Sequence, residues 1–277
     1  MIFCTTLSCI RFIFKLIIIS LLFGCIIQAR MGSTRLPGKI LNLLDSKNTS
    51  LSYTINQLRE CKSLDKIVVA TTTNAEDDII ENFAKKNKID VFRGDPDDVL
   101  SRYYYCAKHY SFSSILRVTG DCPLIDPLIV EKGISIFLKN TYDYVTNTFP
   151  RTFPDGNETE IFSFSSLQSA HENAILPSER EHVTPYFRNK KENFRIFNFT
   201  NIEDISHLRW TLDYDADLKL IKTIISKISI RPIHMHDILR LFKNEPNLKK
   251  INQNHKPNEG YMKSLKDDEE FLRNRKN

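Results

Sequence analysis

The sequence predicts an α/β fold with a mostly parallel sheet and helices on both faces. Strand-like and helix-like stretches alternate strictly from residue 22 to residue 147. The strand stretches are compact runs rich in β-branched residues, with no polar–apolar alternation, as expected of strands buried on both faces. With 277 residues, 41% hydrophobic and 26% charged, the chain is long and apolar enough for one substantial core. Strict alternation requires crossover connections, and these make neighbouring strands parallel.

Residues 10–27 are nearly all apolar, interrupted by Arg11 and Lys15. Alone, such a run suits a signal peptide or a short anchor. It flows without a break into Ile26-Ile27-Gln28-Ala29-Arg30, however, and cleavage or insertion in a bilayer would deprive the sheet of a strand. Residues 22–28 are therefore expected to be the first strand, and residues 1–21 an extension outside the fold. That extension is either a weak surface anchor or a set of upstream codons, and no stable membrane span is expected.

Residues 66–71 form the second strand, and residues 75–86 a helix capped by Asn74, acidic at its start and rich in lysine at its end. Strands over 89–93, 114–119 and 142–147 alternate with helices over 97–110 and 127–139. Past residue 147 the Pro, Phe and Gly content suggests a small excursion lobe over 148–190, with helices over 165–174 and 178–188. Strands over 194–199 and 208–212 and a helix over 215–227 complete a domain of residues 22–245, and residues 246–277 read as a polar tail with little core to offer.

The net charge of +5 comes without a dense Lys/Arg stripe interleaved with aromatics, so no nucleic-acid partner is expected. An anionic small molecule accounts for the excess equally well. Cys4, Cys9, Cys25, Cys61, Cys106 and Cys122 include no C-x-x-C pair. Neither a zinc site nor a disulfide framework follows, and the expected compartment is the reducing cytoplasm.

The loop from Gln28 to Lys39, QARMGSTRLPGK, directly follows the first strand. Ligands of open α/β sheets bind beyond the carboxyl ends of strands, where this loop lies. Gly32 and Gly38 allow close backbone approach to a phosphate, and Arg30, Arg35 and Lys39 supply three cations. It is not a Walker A loop: five residues separate the glycines, and Ile40 stands where a metal-binding hydroxyl belongs.

The run IIQARMGSTRLPGK resembles the opening of the cytidylyltransferases that activate acidic sugars, the CMP-Kdo and CMP-acylneuraminate synthetases. Within them it is most similar to the spore coat polysaccharide biosynthesis protein F group. The resemblance continues in order through VVATTTNAEDD, VFRGDPDDVLSRY, RVTGDCPLIDP, YDYVTNT, EREHVTPY and HLRWTLDYDADL, over about residues 22–227. It implies a nucleotide-diphospho-sugar transferase (GT-A-like) fold that transfers CMP from CTP to a 2-keto-3-deoxy sugar acid, for cell-surface polysaccharide, with release of pyrophosphate and dependence on Mg²⁺. A homodimer is compatible with it.

Asp121 ends a buried strand, where a carboxylate can hold Mg²⁺ against a triphosphate or simply form an Asx turn; the resemblance implies the metal role. By the same resemblance Asp213 is the second metal ligand, with Asp215 capping the following helix. Nucleotide contacts are expected from Gln28, Ala29, Arg30, Gly32, Arg35 and Lys39, with Thr71 and Thr72 reading the base. Arg30, Lys39 and Asp121 are the residues expected to act in catalysis. Arg180 and His182 are candidates to pair with the sugar's carboxylate, or belong to a charged helix start. The stretch from Pro154 to Glu160 carries Glu158 where the family pattern G-L-D-x-E has Asp. Arg102 reads equally as a solvated helix cation, and no general base is evident. The rival readings are a glycosyltransferase of the same fold and a non-catalytic nucleotide-binding relative.

Overall fold

The structure, a computed structural model, describes residues 22–255 and 259–275. The expected extension, residues 1–21, lies outside the described residues. In chain order the strands are β1 (Leu22–Gln28), β2 (Lys66–Thr72), β3 (Asp90–Gly94), β4 (Phe112–Thr119), β5 (Tyr144–Thr146), β6 (Glu160–Ser163) and β7 (Ile196–Asn198). The helices are α1 (Ser50–Leu58), α2 (Asp78–Lys86), α3 (Val99–His109), α4 (Pro127–Lys139), α5 (Phe164–Asn173), α6 (Pro177–His182), α7 (Pro185–Asn189), α8 (Asp215–Lys227), α9 (Met235–Asn244) and α10 (Glu259–Asn274).

The strands form one sheet in the order β3-β2-β1-β4-β6-β5-β7. All pairings are parallel except those of β6 with β4 and β5. β1 is an interior strand, matching Ile27 to Val69 on one side and to Val118 on the other. Its residues alternate between two cores: Cys25 and Ile27 pack with α1 and α4, and Ile26 packs with α3 and α5. A strand buried on both faces needs apolar residues at consecutive positions, which is why this run mimics a membrane segment. Among the described residues, no helix is long and apolar enough to cross a membrane. Cys25, Cys61, Cys106 and Cys122 are buried and unpaired.

The excursion after β5 returns to the sheet as the antiparallel strand β6. The helix expected over 178–188 is instead two short helices, α6 and α7. Val183 sits between them at φ 68°, ψ −63°, with the Thr184 N–H donating to the His182 carbonyl at 2.7 Å. That is a γ-turn, a strained conformation for a β-branched residue.

The strand expected over 208–212 is an extended segment bonded to two loops. Asp155 and Trp210 donate backbone N–H groups to Leu208 and Asp155, and Leu212 donates to the Asp121 carbonyl at 2.8 Å. Trp210 is fully buried in a third core with α8 and α9. Gly156, at φ +103°, allows this approach, because a Cβ there would stand 2.8 Å from the Thr211 nitrogen.

The polar stretch after residue 245 contains α10. This helix docks through polar contacts: Asp268 accepts from the Ser178 N–H at 2.8 Å, Ser264 donates to Glu181 at 2.6 Å, and Ser264 bonds His182 Nε2 at 2.9 Å. Hydropathy does not register such docking.

Candidate active site

The carboxyl ends of β1 and β4 meet where Gln28 pairs with Thr119. The loop leaving β1 is pinned from below: buried Asp77 accepts the Met31 N–H at 2.7 Å and also the Thr72 hydroxyl. Gly38 closes the loop in the left-handed region at φ +66°. Two cavities flank the loop. One, of about 490 Å³, is lined by Gln28, Ala29, Arg30, Gly32, Arg35 and Lys39, and faces α10. The other, of about 710 Å³, runs under residues 148–160 and α7. Arg35, Thr119, Asp121, His182 and Glu259 border both, so the two cavities join there.

Lys39 lies at that junction. Its ammonium donates to Asp121 at 2.5 Å and to Asp213 at 2.8 Å. Burial alone would raise the Asp121 carboxyl, but the adjoining Lys39 pulls it down to about 2. Asp213 also accepts from Arg35 at 2.7 Å and from Arg209 at 2.9 Å. Thr211 donates its hydroxyl to the Asp121 carbonyl at 3.2 Å, tying the two carboxylate-bearing segments together. Two carboxylates that converge on one cation suit a divalent ion that draws its remaining ligands from phosphate and water.

The structure relocates several expected contributors. Thr71 and Thr72 are buried and line neither cavity; Thr72 bonds Asp77 and accepts the Asn74 N–H at 3.1 Å. β2 buries both side chains. The Asn74 side chain caps nothing, and Asp217, rather than Asp215, takes the N–H groups opening α8 at 3.0 Å. Arg180 lines neither cavity, since its guanidinium binds Asp98 and the carbonyls of Ala174 and His171. His182 does face both cavities, and burial holds its imidazole below the usual range. Arg102 is not solvated: only 2% exposed, it lines the smaller cavity. Arg30 is exposed at the same cavity and makes no ion pair among the described residues.

Sequence reasoning named Glu158 in the larger cavity's wall but not the ion pairs around it. Arg151 reaches Asp155 at 2.8 Å and Glu158 at 3.0 Å, yet burial pushes the Glu158 carboxyl up to about 8. Arg117 and Glu160 pair at 2.6 Å deep in the wall, and Tyr144 and Thr184 also donate to Glu160. No spacing rule joins Arg117 to Glu160, because they meet only across strands β4 and β6.

Glu160→Ala would strand the buried Arg117 charge and is expected to cost about 3–5 kcal/mol in denaturant unfolding. Burial alone would raise Glu160, but Arg117, Tyr144 and Thr184 hold it below the ordinary range. Its folded pKa therefore lies below the unfolded value of about 4.3. The pair's stabilisation is complete above that pH and is lost as pH falls through the folded pKa. Unfolding free energies of Glu160→Ala that match the native chain at pH 7 would remove this role.

The profile of the cytidylyltransferase family matches residues 24–256. The chain belongs to the cytidylyltransferase family. It is 33% identical over 229 residues to the spore coat polysaccharide biosynthesis protein SpsF of Bacillus subtilis, covering 80% of this chain and 94% of that one. It is 29% identical over 140 residues to the 8-amino-3,8-dideoxy-manno-octulosonate cytidylyltransferase of Shewanella frigidimarina, covering 49% and 55%. A solved cytidylyltransferase from Leptospira borgpetersenii superposes with a TM-score of 0.79 at 39% identity, covering 84% of this chain and 98% of that one. The cytidylyltransferase fold is thus the mostly parallel α/β sheet expected from the sequence, and the activity is nucleotidyl transfer from CTP. Family membership sets aside the glycosyltransferase reading.

Proposed function

We propose that this cytidylyltransferase transfers CMP from CTP to an acidic sugar and releases pyrophosphate. The observation that carries this reading is the convergence of Asp121 and Asp213 on Lys39 where the two cavities join. The smaller cavity, beside the β1 loop, receives the triphosphate, with Arg30, Arg35, Lys39 and the loop amides as its donors. The larger cavity receives the acceptor sugar. Similarity to a spore coat polysaccharide protein and to an octulosonate cytidylyltransferase supports an acidic sugar for polysaccharide synthesis.

Asp121 and Asp213 would hold a divalent cation, Mg²⁺ in our reading, which when bound neutralises charge on the phosphates. The chain's own residues do the positioning: the loop cations orient the triphosphate, and the cavity wall aims the sugar hydroxyl at the α-phosphorus for in-line attack. Glu158, with its raised pKa, is the carboxyl of the acceptor cavity best suited to take up that hydroxyl's proton. CTP is a cytoplasmic substrate, so we assign the reaction to the cytoplasm.

Pyrophosphate release tests the nucleotide. CTP should exceed UTP, ATP and GTP by roughly 10²-fold or more in kcat/KM, as hydrogen-bonded base recognition allows. Equal turnover of UTP would sink cytosine specificity while leaving the fold intact.

A further inference from the structure

The cations of the acceptor cavity differ in what they already hold. Arg117 is paired with Glu160, Arg151 with Asp155 and Glu158, and Arg209 with Asp155, Asp213 and Asp217. Arg35 is shared between Asp213 and Glu259. Each of these charges is met within the protein, and a carboxylate ligand would have to displace an existing one.

Arg188 differs. It is half-buried at the end of α7, lines the acceptor cavity and makes no ion pair among the described residues. Its guanidinium carbon lies over two aromatic rings, 5.6 Å from the Phe149 centroid and 5.3 Å from that of Tyr261. Aromatic faces hold a guanidinium by its flat side and leave its in-plane N–H fork available for a carboxylate. Phe149 is 66% exposed. Lys191, exposed on the next turn, adds positive charge at the same wall. Tyr261 comes from α10, which begins at Glu259, past the stretch matched by the family profile.

We propose that Arg188 binds the carboxylate of the acceptor sugar, held in orientation by Phe149 and by Tyr261 of α10; this rests on the acidic-sugar reading above. Arg188 takes the role that the sequence offered to Arg180, two turns earlier in the same EREHVTPYFR stretch. The strained turn at Val183 separates the two. Arg180 points back to α3 and Asp98, whereas Arg188 reaches the cavity.

The test uses the full chain with saturating CTP and Mg²⁺. The acceptor is whichever of 3-deoxy-manno-octulosonate, its 8-amino-3,8-dideoxy analogue and sialic acid is turned over fastest, compared with its carboxamide. Arg188→Gln should raise KM for the acid roughly 30- to 100-fold, as loss of a bidentate charged pair does. KM for CTP should stay within about twofold, and the preference for acid over carboxamide should collapse. Arg188→Lys, which keeps the charge and loses the fork, should fall between and supplies the answer if Arg188→Gln fails to fold. Tyr261→Leu should shift KM for the acid in the same direction by roughly threefold, the worth of an exposed cation–π contact. An unchanged KM for the acid in both Arg188 variants, or parallel losses for acid and carboxamide, would overturn the assignment alone. A wild-type chain that uses neutral sugars and refuses all three acids would overturn the acidic-sugar reading, and this inference with it.

Discussion

Replacing Asp121 by Asn is expected to lower turnover per folded molecule by roughly 10²–10³, the usual cost of removing one electrostatic contact made in the transition state. The substitution keeps the side chain's shape and one hydrogen-bonding oxygen, so its main effect is loss of charge. Lys39 would keep Asp213 as a partner at 2.8 Å, and Arg35 and Arg30 would still face the nucleotide cavity. CTP binding without metal should therefore change little, while the Mg²⁺ concentration needed for half-maximal rate should rise. The competing role is structural, since Asp121 also ends β4 and its carbonyl takes bonds from Leu212 and Thr211. Both bonds end on the backbone carbonyl of residue 121, which Asn preserves. Steady-state turnover with Mg²⁺ titrated, alongside thermal melts, separates the two. Near-native turnover in a well-folded variant would leave the metal assignment without its main support.

The second large effect concerns β1. A chain beginning at Met31 should fail to fold, while one beginning at Leu22 should fold and remain active. β1 lies between β2 and β4, and Phe23, Ile26 and Ile27 are each buried to within 4%. Burying side chains of this size contributes about 1.5–3 kcal/mol each. Removing the strand also strands the facing ladder groups of β2 and β4. Together these losses are comparable to the roughly 5–15 kcal/mol by which domains are stable. Circular dichroism and pyrophosphate release of the two shortened chains would decide. A Met31 chain with native ellipticity would show that β1 is dispensable. An insoluble Leu22 chain, beside a full-length protein that partitions into membranes, would favour the anchor reading of residues 1–21.

Features set by local chemistry were legible without coordinates. β1 falls on residues 22–28 as expected, because a run of apolar residues ending at a Gly-rich, basic loop has few other uses in this fold class. Lys39, Asp121 and Asp213 were singled out separately, each at a strand end or on the loop, and the structure brings all three within hydrogen-bonding distance. Features that depend on partners distant in sequence were not legible. α1, capped by Thr49 and Ser52, and α9, capped at His234, have short apolar faces that become meaningful only against neighbours. β6 runs antiparallel because the excursion after β5 returns to the sheet without a crossover, and nothing in the segment Glu160–Ser163 specifies that direction.

By itself, the sequence determined the alternating α/β plan, the basic, glycine-containing loop after β1 and the place of Asp121 just past β4, because each depends on residues adjacent along the chain. Tertiary structure alone decided which threonines and arginines line the two cavities. Thr71 and Thr72 lie on the correct strand yet turn into the core, and Arg180 and Arg188 share one stretch yet diverge across a γ-turn at Val183. It also decided that a polar C-terminal stretch forms part of the site's wall, since α10 docks by buried hydrogen bonds at Ser264 and Asp268. The physical reason is that side-chain direction and long-range hydrogen bonding are fixed by the packing of elements, and no local pattern of hydropathy or charge records them.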